Sequence, residues 1–137
     1  MSARDPYGSV LPKTSINPAV IAATTTGSSV DRAASAAMYQ SAMVIVQTGT
    51  MTDGTHTISV EESDDNSAWS TVATGDLQGT APAIVSTDDN KMFTLGYQGI
   101  KRYLRVKTTV TGSPATGGAY GAIVLLSDPR VLPAVQA

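Results

Sequence analysis

Hydrophobic and polar residues alternate with a period of two along much of the chain after Tyr39, the pattern of strands that bury one face. The clearest run covers residues 103–110, where Leu104 and Val106 alternate with charged and aromatic residues. This alternation predicts that one face lies on a core and the other lies in water or on a partner. The other main strands are predicted at residues 43–47, 57–62 and 120–126.

The run over residues 43–47 is apolar at nearly every position, so both of its faces are apolar. Such a strand is predicted to lie in the centre of its sheet. The dipeptide Asp53-Gly54 lies between this run and the next, and it predicts a hairpin, because its left-handed backbone angles match the twist of flanking strands. Strands and turns that recur at short intervals predict an all-β fold, an antiparallel β-sandwich or jelly roll.

The two ends of the chain differ from its middle. Residues 1–38 contain three prolines in a stretch rich in Ser, Thr and Ala. This stretch has too little apolar surface to pack on a core, so we predict that it forms an extended N-terminal arm. Within it, residues 30–38 could form a helix of at most about two turns. Residues 128–137 contain two further prolines and predict a C-terminal arm. The β-domain is therefore expected over residues 39–127.

The composition excludes most catalytic chemistry. The chain contains no Cys and a single His, His56, which removes thiolate nucleophiles, disulfides and Cys-ligated metal sites. His56, Asp53 and a serine could be drawn as a triad, but no G-x-S-x-G elbow presents a nucleophile. We therefore expect no enzyme activity, no cofactor and no catalytic residue.

An acidic run, Glu61-Glu62-Ser63-Asp64-Asp65, ends one of the predicted strands. Its spacing departs from the D-x-[DN]-x-[DN]-G pattern of calcium-binding loops, and no glycine follows to permit the sharp turn. The run therefore predicts a solvated turn and no metal site.

A basic cluster lies at Lys101, Arg102, Tyr103, Arg105 and Lys107. Interleaved cations and aromatics occur in nucleic-acid sites, but a net charge of −2 and a pI near 5.1 provide no wider basic surface to attract phosphates or anionic lipid. Arg and Tyr are also enriched at protein interfaces. The cluster therefore predicts a protein contact, with no nucleic acid and no membrane as partner.

No stretch of the sequence approaches the roughly 18 uninterrupted apolar residues of a membrane-spanning helix. The N-terminal residues also lack the apolar core of a signal peptide. The chain is therefore expected to fold where it is made.

Several short motifs together resemble a protein family. They are Val30-Asp31-Arg32, the acidic run, Trp69, the segment from Gly99 to Val106 with its G-x-K-R-Y-x-R-V pattern, and the closing Asp128-Pro129-Arg130. In this order they are similar to small structural proteins of tailed phages that are encoded beside the major capsid protein. The resemblance implies a head decoration (cement) protein. It further implies binding to the major capsid protein on the outer capsid surface of the virion, as trimers or dimers made in the host cytoplasm.

Two other functions fit the same sequence. One is a tail or head-completion component of the same particle. The other is a carbohydrate-binding β-sandwich, in which the rings of Trp69 and Tyr97 or Tyr103 stack on sugars. An aromatic content of 5% is low for sugar recognition, and the alternating context of Trp69 predicts that it lies in the core.

Charge suggests how copies could associate. The basic face formed by Tyr103, Arg105 and Lys107 could meet the acidic turn of the next copy, a contact that closes into a ring of three. A homotrimer is the favoured prediction and a dimer the alternative. The predicted interface comprises Arg102, Tyr103, Arg105, Lys107, Glu61, Glu62, Asp64 and Asp65.

Overall fold

The computed structural model describes residues 6–33 and 38–130. Within these ranges the chain forms strands and one 3₁₀ turn at Thr74–Asp76, and it contains no α-helix. The strands are, in order, β1 (Val10–Ile21), β2 (Thr25–Thr26), β3 (Val30–Asp31), β4 (Tyr39–Met51), β5 (Thr55–Ser63), β6 (Ser70–Thr71), β7 (Leu77–Gln78), β8 (Ala83–Ile84), β9 (Met92–Tyr97), β10 (Tyr103–Thr111) and β11 (Gly118–Pro129). The predicted all-β class is confirmed.

The strands form two antiparallel sheets packed against each other. The five-stranded sheet has the order β1-β11-β4-β9-β7. The six-stranded sheet has the order β2-β10-β5-β6, with β3 paired to β10 and β8 paired to β5. Buried aliphatic side chains from both sheets form one core, among them Val44 and Val124 from the first sheet and Val60 and Leu104 from the second. The predicted β-sandwich is therefore confirmed.

The predicted faces of the main strands are correct. Leu104, Val106 and Thr108 of β10 are fully buried, while Arg105 and Lys107 between them are partly exposed. Strand β4 lies between β11 and β9, the central place predicted from its two apolar faces. Burial on one side of the sheet sets the period of two, which is why the pattern alone identified these faces.

The Asp53-Gly54 turn exists, but the hairpin prediction is wrong. Gly54 has a φ of +83°, as expected, yet β4 belongs to the five-stranded sheet and β5 to the six-stranded sheet. The turn therefore carries the chain from one sheet to the other. The Asp53 carboxylate accepts hydrogen bonds from the backbone N–H groups of Ala115 and Gly117, so it fixes the loop between β10 and β11.

The predicted N-terminal arm is wrong for residues 10–31. Strand β1 pairs with β11 along almost its whole length and forms an edge of the five-stranded sheet. Leu11, Ile16 and Ile21 point into the core and are nearly inaccessible to solvent. The prolines that suggested an arm are tolerated because an edge strand leaves one side of its backbone unpaired, and bulges near Ile16 absorb the irregularity.

Ser15 joins the edge of one sheet to the other. Its buried hydroxyl accepts the N–H of Val106 at 2.9 Å and donates to the carbonyl of Ser28 at 2.9 Å. The N–H of Gly27 donates to the Val106 carbonyl at 2.8 Å. A Cβ atom at Gly27 would collide with the Ser15 hydroxyl, so this position accommodates only glycine.

The predicted short helix and the predicted C-terminal arm lie partly outside the described residues. The possible helix over residues 30–38 is replaced at its start by strand β3, and residues 34–37 lie outside the description. The predicted C-terminal arm begins inside strand β11, which continues to Pro129 and pairs there with Tyr39. The rest of that arm, residues 131–137, lies outside the described part of the chain.

Candidate functional site

The residues predicted to form a partner interface lie together at one part of the six-stranded sheet. Strands β5 and β10 are neighbours, and their register places Arg105 directly opposite Glu61. The Arg105 Nε atom lies 2.7 Å from Glu61 Oε1, and the two side chains are 24% and 13% exposed. The Arg105 guanidinium also stacks on the ring of Trp69, 4.1 Å from its centroid. The basic strand and the acidic run therefore meet within one chain.

Two further cations of this surface are also paired within the chain, whereas Lys107 makes no ion pair with a described residue. Lys101 contacts Asp64 at 2.6 Å. Arg102 makes a two-point contact with Asp31, with N–O distances of 2.8 and 2.9 Å, and this hydrogen bonding lowers the pKa of Asp31. Lys101, Arg102 and Arg105 thus each have a carboxylate partner within the same chain.

Two of the predicted interface carboxylates have structural roles. Glu62 accepts a hydrogen bond at 2.7 Å from the hydroxyl of buried Tyr97, whose pKa is raised by burial and by this contact. Asp65 accepts the backbone N–H groups of Ser67 and Ala68, each at 2.9 Å, and this bonding lowers its pKa. Asp65 therefore fixes the turn after β5, and Glu62 holds the hydroxyl of Tyr97 in place.

Trp69 does not lie in the core, contrary to the prediction. It precedes the two-residue strand β6 and is only partly buried. The Arg105 guanidinium that covers its ring explains this position, because the aromatic face gains a cation contact while its edge stays in water.

The aromatic residues considered for sugar binding do not form a common platform. Tyr97 is 3% exposed and its hydroxyl is bonded to Glu62, so its ring is not available to a ligand. Trp69 and Tyr103 each have an arginine over the ring, Arg105 at 4.1 Å and Arg102 at 5.0 Å. Sugar stacking would have to displace these arginines.

His56 is a core residue. It is fully buried, and its Nδ1 atom lies 2.9 Å from the hydroxyl of Tyr120, which in turn lies 2.7 Å from Thr108 Oγ1. Its Nε2 atom lies 3.1 Å from the carbonyl oxygen of Asp53. The Nδ1 contact therefore joins the two sheets, and the Nε2 contact holds the turn that precedes β5.

The outer face of the five-stranded sheet is apolar, a feature that the sequence reasoning missed. Ile45 of β4 lies opposite Ile123 of β11, and both point away from the core. Around them lies a groove of about 750 Å³, walled by the bulged part of β1 and by the start of β9. The most exposed apolar side chains of this face are Val20 at 66%, Met92 at 59% and Met43 at 36%.

Small residues give this groove its depth. Gly121 lies on its floor, and a Cβ there would lie 3.0 Å from the backbone of Pro18. Ala119 and Gly49 line the same floor. The signal in the sequence was the run at residues 43–47 that is apolar on both faces: one face fills the core, and the other faces outward on the sheet surface.

The described residues form neither a metal-ligating cluster nor a membrane helix. Among residues 6–33 and 38–130, no three His, Cys, Asp or Glu residues lie close enough together to hold a metal ion. The described part of the chain also includes no helix with the length and apolar character needed to cross a membrane.

No protein-family model matches the sequence, and no curated protein matches it significantly.

Proposed function

We propose that this protein is a structural component of a tailed-phage virion that binds the outer surface of the capsid and stabilises the shell. The observation that carries the proposal is the apolar outer face of the five-stranded sheet, with its groove of about 750 Å³. Contiguous exposed apolar surface is typical of a protein contact. The resemblance of residues 99–106 and of the acidic run to phage structural proteins supports the choice of particle.

The proposed occupant of the groove is an apolar segment of the major capsid protein. The groove is walled by aliphatic side chains and floored by glycine and alanine, a lining that suits aliphatic or backbone groups of a partner. On the opposite sheet and beside it, Arg102, Arg105 and Lys101 are already paired with carboxylates of the same chain. Since exposed, already paired ions contribute little to association, most of the affinity would come from burying this apolar face.

Oligomeric state and position in the particle belong to the same proposal. A homotrimer is favoured, with a dimer as the alternative, and light scattering of the free protein distinguishes them. A tail or head-completion component would use the same face against a different neighbour. The position of the protein in the particle, on the tail or on the outer capsid surface, distinguishes these two functions.

The proposal is tested by adding the purified protein to phage capsids that lack it and counting bound copies by quantitative mass spectrometry. Val20→Lys combined with Met92→Lys places two charges on the groove walls, and we expect binding at least tenfold weaker. Val85→Lys is the matched control, since Val85 is another exposed aliphatic residue at 36% that does not line the groove. We expect this control to bind like the unmodified protein.

Two results would contradict the proposal. One is that the unmodified protein does not bind these capsids at all. The other is that the double variant, still folded by circular dichroism, binds as well as the Val85 control. The second result would remove the groove face from the contact.

A further inference from the structure

A second concavity, here called the end pocket, lies at one end of the sandwich. It has a volume of about 390 Å³ and is formed where β3 ends, β4 begins and the loop between β9 and β10 passes. Its lining includes Arg32, Tyr39, Arg102 and Arg130, together with Met38 and Ile100.

Arg32 is a buried cation with no counter-ion among the described residues. The residue is only 8% exposed. Its Nη atoms donate hydrogen bonds to the carbonyl oxygens of Lys101 at 2.7 Å and Gln40 at 2.8 Å. These acceptors are neutral, and Arg32 makes no ion pair with a described carboxylate. Burial accordingly lowers the pKa of the guanidinium. A buried charge is ordinarily paired with an opposite charge.

Two hydrogen-bond donors on residues that line the end pocket have no acceptor among the described residues. The Nε atom of Arg32 and the hydroxyl of Tyr39 are buried without a hydrogen-bond partner. Buried donors without a partner are rare in folded proteins, and where they occur a bound ion or ligand can supply the acceptor. Each of these two groups can donate a hydrogen bond.

The charge around the end pocket is positive. Arg102 is neutralised by its two-point contact with Asp31, but Arg32 and Arg130 are not paired with any described carboxylate. No described residue that lines the pocket is acidic. The lining therefore provides donors and cations toward which a negative acceptor is attracted.

The apolar part of the lining indicates what carries this negative group. Ile100 is 93% exposed and Met38 is 47% exposed, so aliphatic surface lies beside the cations. An aspartate or glutamate on a protein partner would present its carboxylate to the cations, while apolar side chains beside it on that partner cover Ile100 and Met38. A nucleic-acid backbone would instead require a wider basic surface, which the pairing of Lys101 and Arg105 with carboxylates removes.

We infer that the end pocket binds the carboxylate of an aspartate or glutamate side chain contributed by a protein partner. The inference goes beyond the proposed function, because the pocket does not require that the partner be a capsid protein. It also concerns a different surface from the groove face, so either can fail without the other.

The test is nuclear magnetic resonance of the full chain, following the Nε–H signal of Arg32. The probe is the capped tripeptide acetyl-Gly-Asp-Gly-amide, and acetyl-Gly-Asn-Gly-amide is the neutral control. We expect a saturable shift of the Arg32 signal with the Asp peptide and none with the Asn peptide. The Nε–H signal of Arg105, already paired with Glu61, should not move with either probe.

Tyr39→Phe separates a binding role from a structural one. This variant removes only an unpartnered hydroxyl, so we expect unchanged or increased thermal stability. We also expect about three- to tenfold weaker binding of the Asp peptide, the effect of one lost hydrogen bond. Tyr103→Phe, outside the pocket lining, is the matched control and should bind normally.

Three results would overturn the inference. The Asp and Asn peptides could shift the Arg32 signal equally, which would show that the carboxylate is not recognised. Tyr39→Phe could bind the Asp peptide as tightly as the unmodified protein. Inorganic phosphate could saturate the Arg32 signal at lower concentration than the Asp peptide, which would identify the pocket as a phosphate site.

Discussion

Arg105 is held by two neighbours at once, the carboxylate of Glu61 and the ring of Trp69. The sequence correctly predicted an outward face for Arg105 and Glu61, but it placed Trp69 in the core, which is wrong. It did not show their partners, because the register between β5 and β10 is a contact between segments more than forty positions apart. For this reason the sequence alone does not show that the charge of Arg105 is paired with that of Glu61.

The Arg105–Glu61 pair should contribute to the stability of the single chain. We expect a coupling free energy of about 1 kcal/mol in a double-mutant cycle of Arg105→Gln and Glu61→Gln, because the pair is partly buried. Urea denaturation of the four proteins measures it. The cycle of Lys101→Gln and Asp64→Asn is the control, and we expect a smaller coupling from this more exposed pair. A zero coupling at Arg105 would contradict the role assigned to this contact.

The loops of the sandwich depend on single carboxylates. Asp53 accepts backbone hydrogen bonds from Gly117, Ala115 and Thr116, and these bonds lower its pKa. Protonation is therefore harder in the folded chain than in the unfolded one. The stabilisation is present above the unfolded pKa of about 4 and is lost as the pH falls through the lower folded value.

Asp53→Asn should therefore reduce stability at pH 7 and flatten the acid dependence. We expect a lower melting temperature than that of the unmodified protein at pH 7, and a smaller further decrease between pH 4 and pH 2, since the titrating carboxylate is gone. Thermal melts at several pH values measure both effects. Asp76→Asn, whose carboxylate bonds to no described residue, should leave the acid dependence unchanged. An Asp53→Asn protein with the full acid dependence would contradict the assignment.

Strand β1 is the element that the sequence reasoning placed wrongly. Its partner β11 lies about a hundred residues away along the chain, and its prolines and polar residues are compatible with either an arm or an edge strand. The period of two identified β4, β5, β10 and β11 because each of them buries a regular face. In β1 the bulges around Ile16 interrupt that period, so no local pattern marks the strand.

Adjacent positions of β1 distinguish a strand from an arm. Ile16 is 3% exposed, whereas Asn17 lies on the solvent side. Ile16→Asp buries an unpaired charge, and we expect it to reduce the free energy of unfolding by more than about 3 kcal/mol. Asn17→Asp should change it by less than about 0.5 kcal/mol. Chemical denaturation measures both, and an Ile16→Asp protein as stable as the Asn17→Asp protein would support the arm instead.

At the scale of the molecule, the described residues present three surfaces of different chemistry. The six-stranded sheet and its edge carry ion pairs formed within the chain. The five-stranded sheet exposes the apolar groove, and the end of the sandwich exposes a positive pocket with unsatisfied donors. The sequence predicted the sandwich that creates these surfaces. It could not predict the groove or the pocket, since both are formed by residues that only the pairing of distant strands brings together.

The most direct test of the proposed function is a cryo-electron microscopy reconstruction of the phage particle that encodes this chain. We expect density for the sandwich on the outer surface of the capsid, with the groove face around Ile45, Ile123 and Met92 against the shell. Density in the tail, no density anywhere on the particle, or a sandwich that turns this face toward solvent would contradict it.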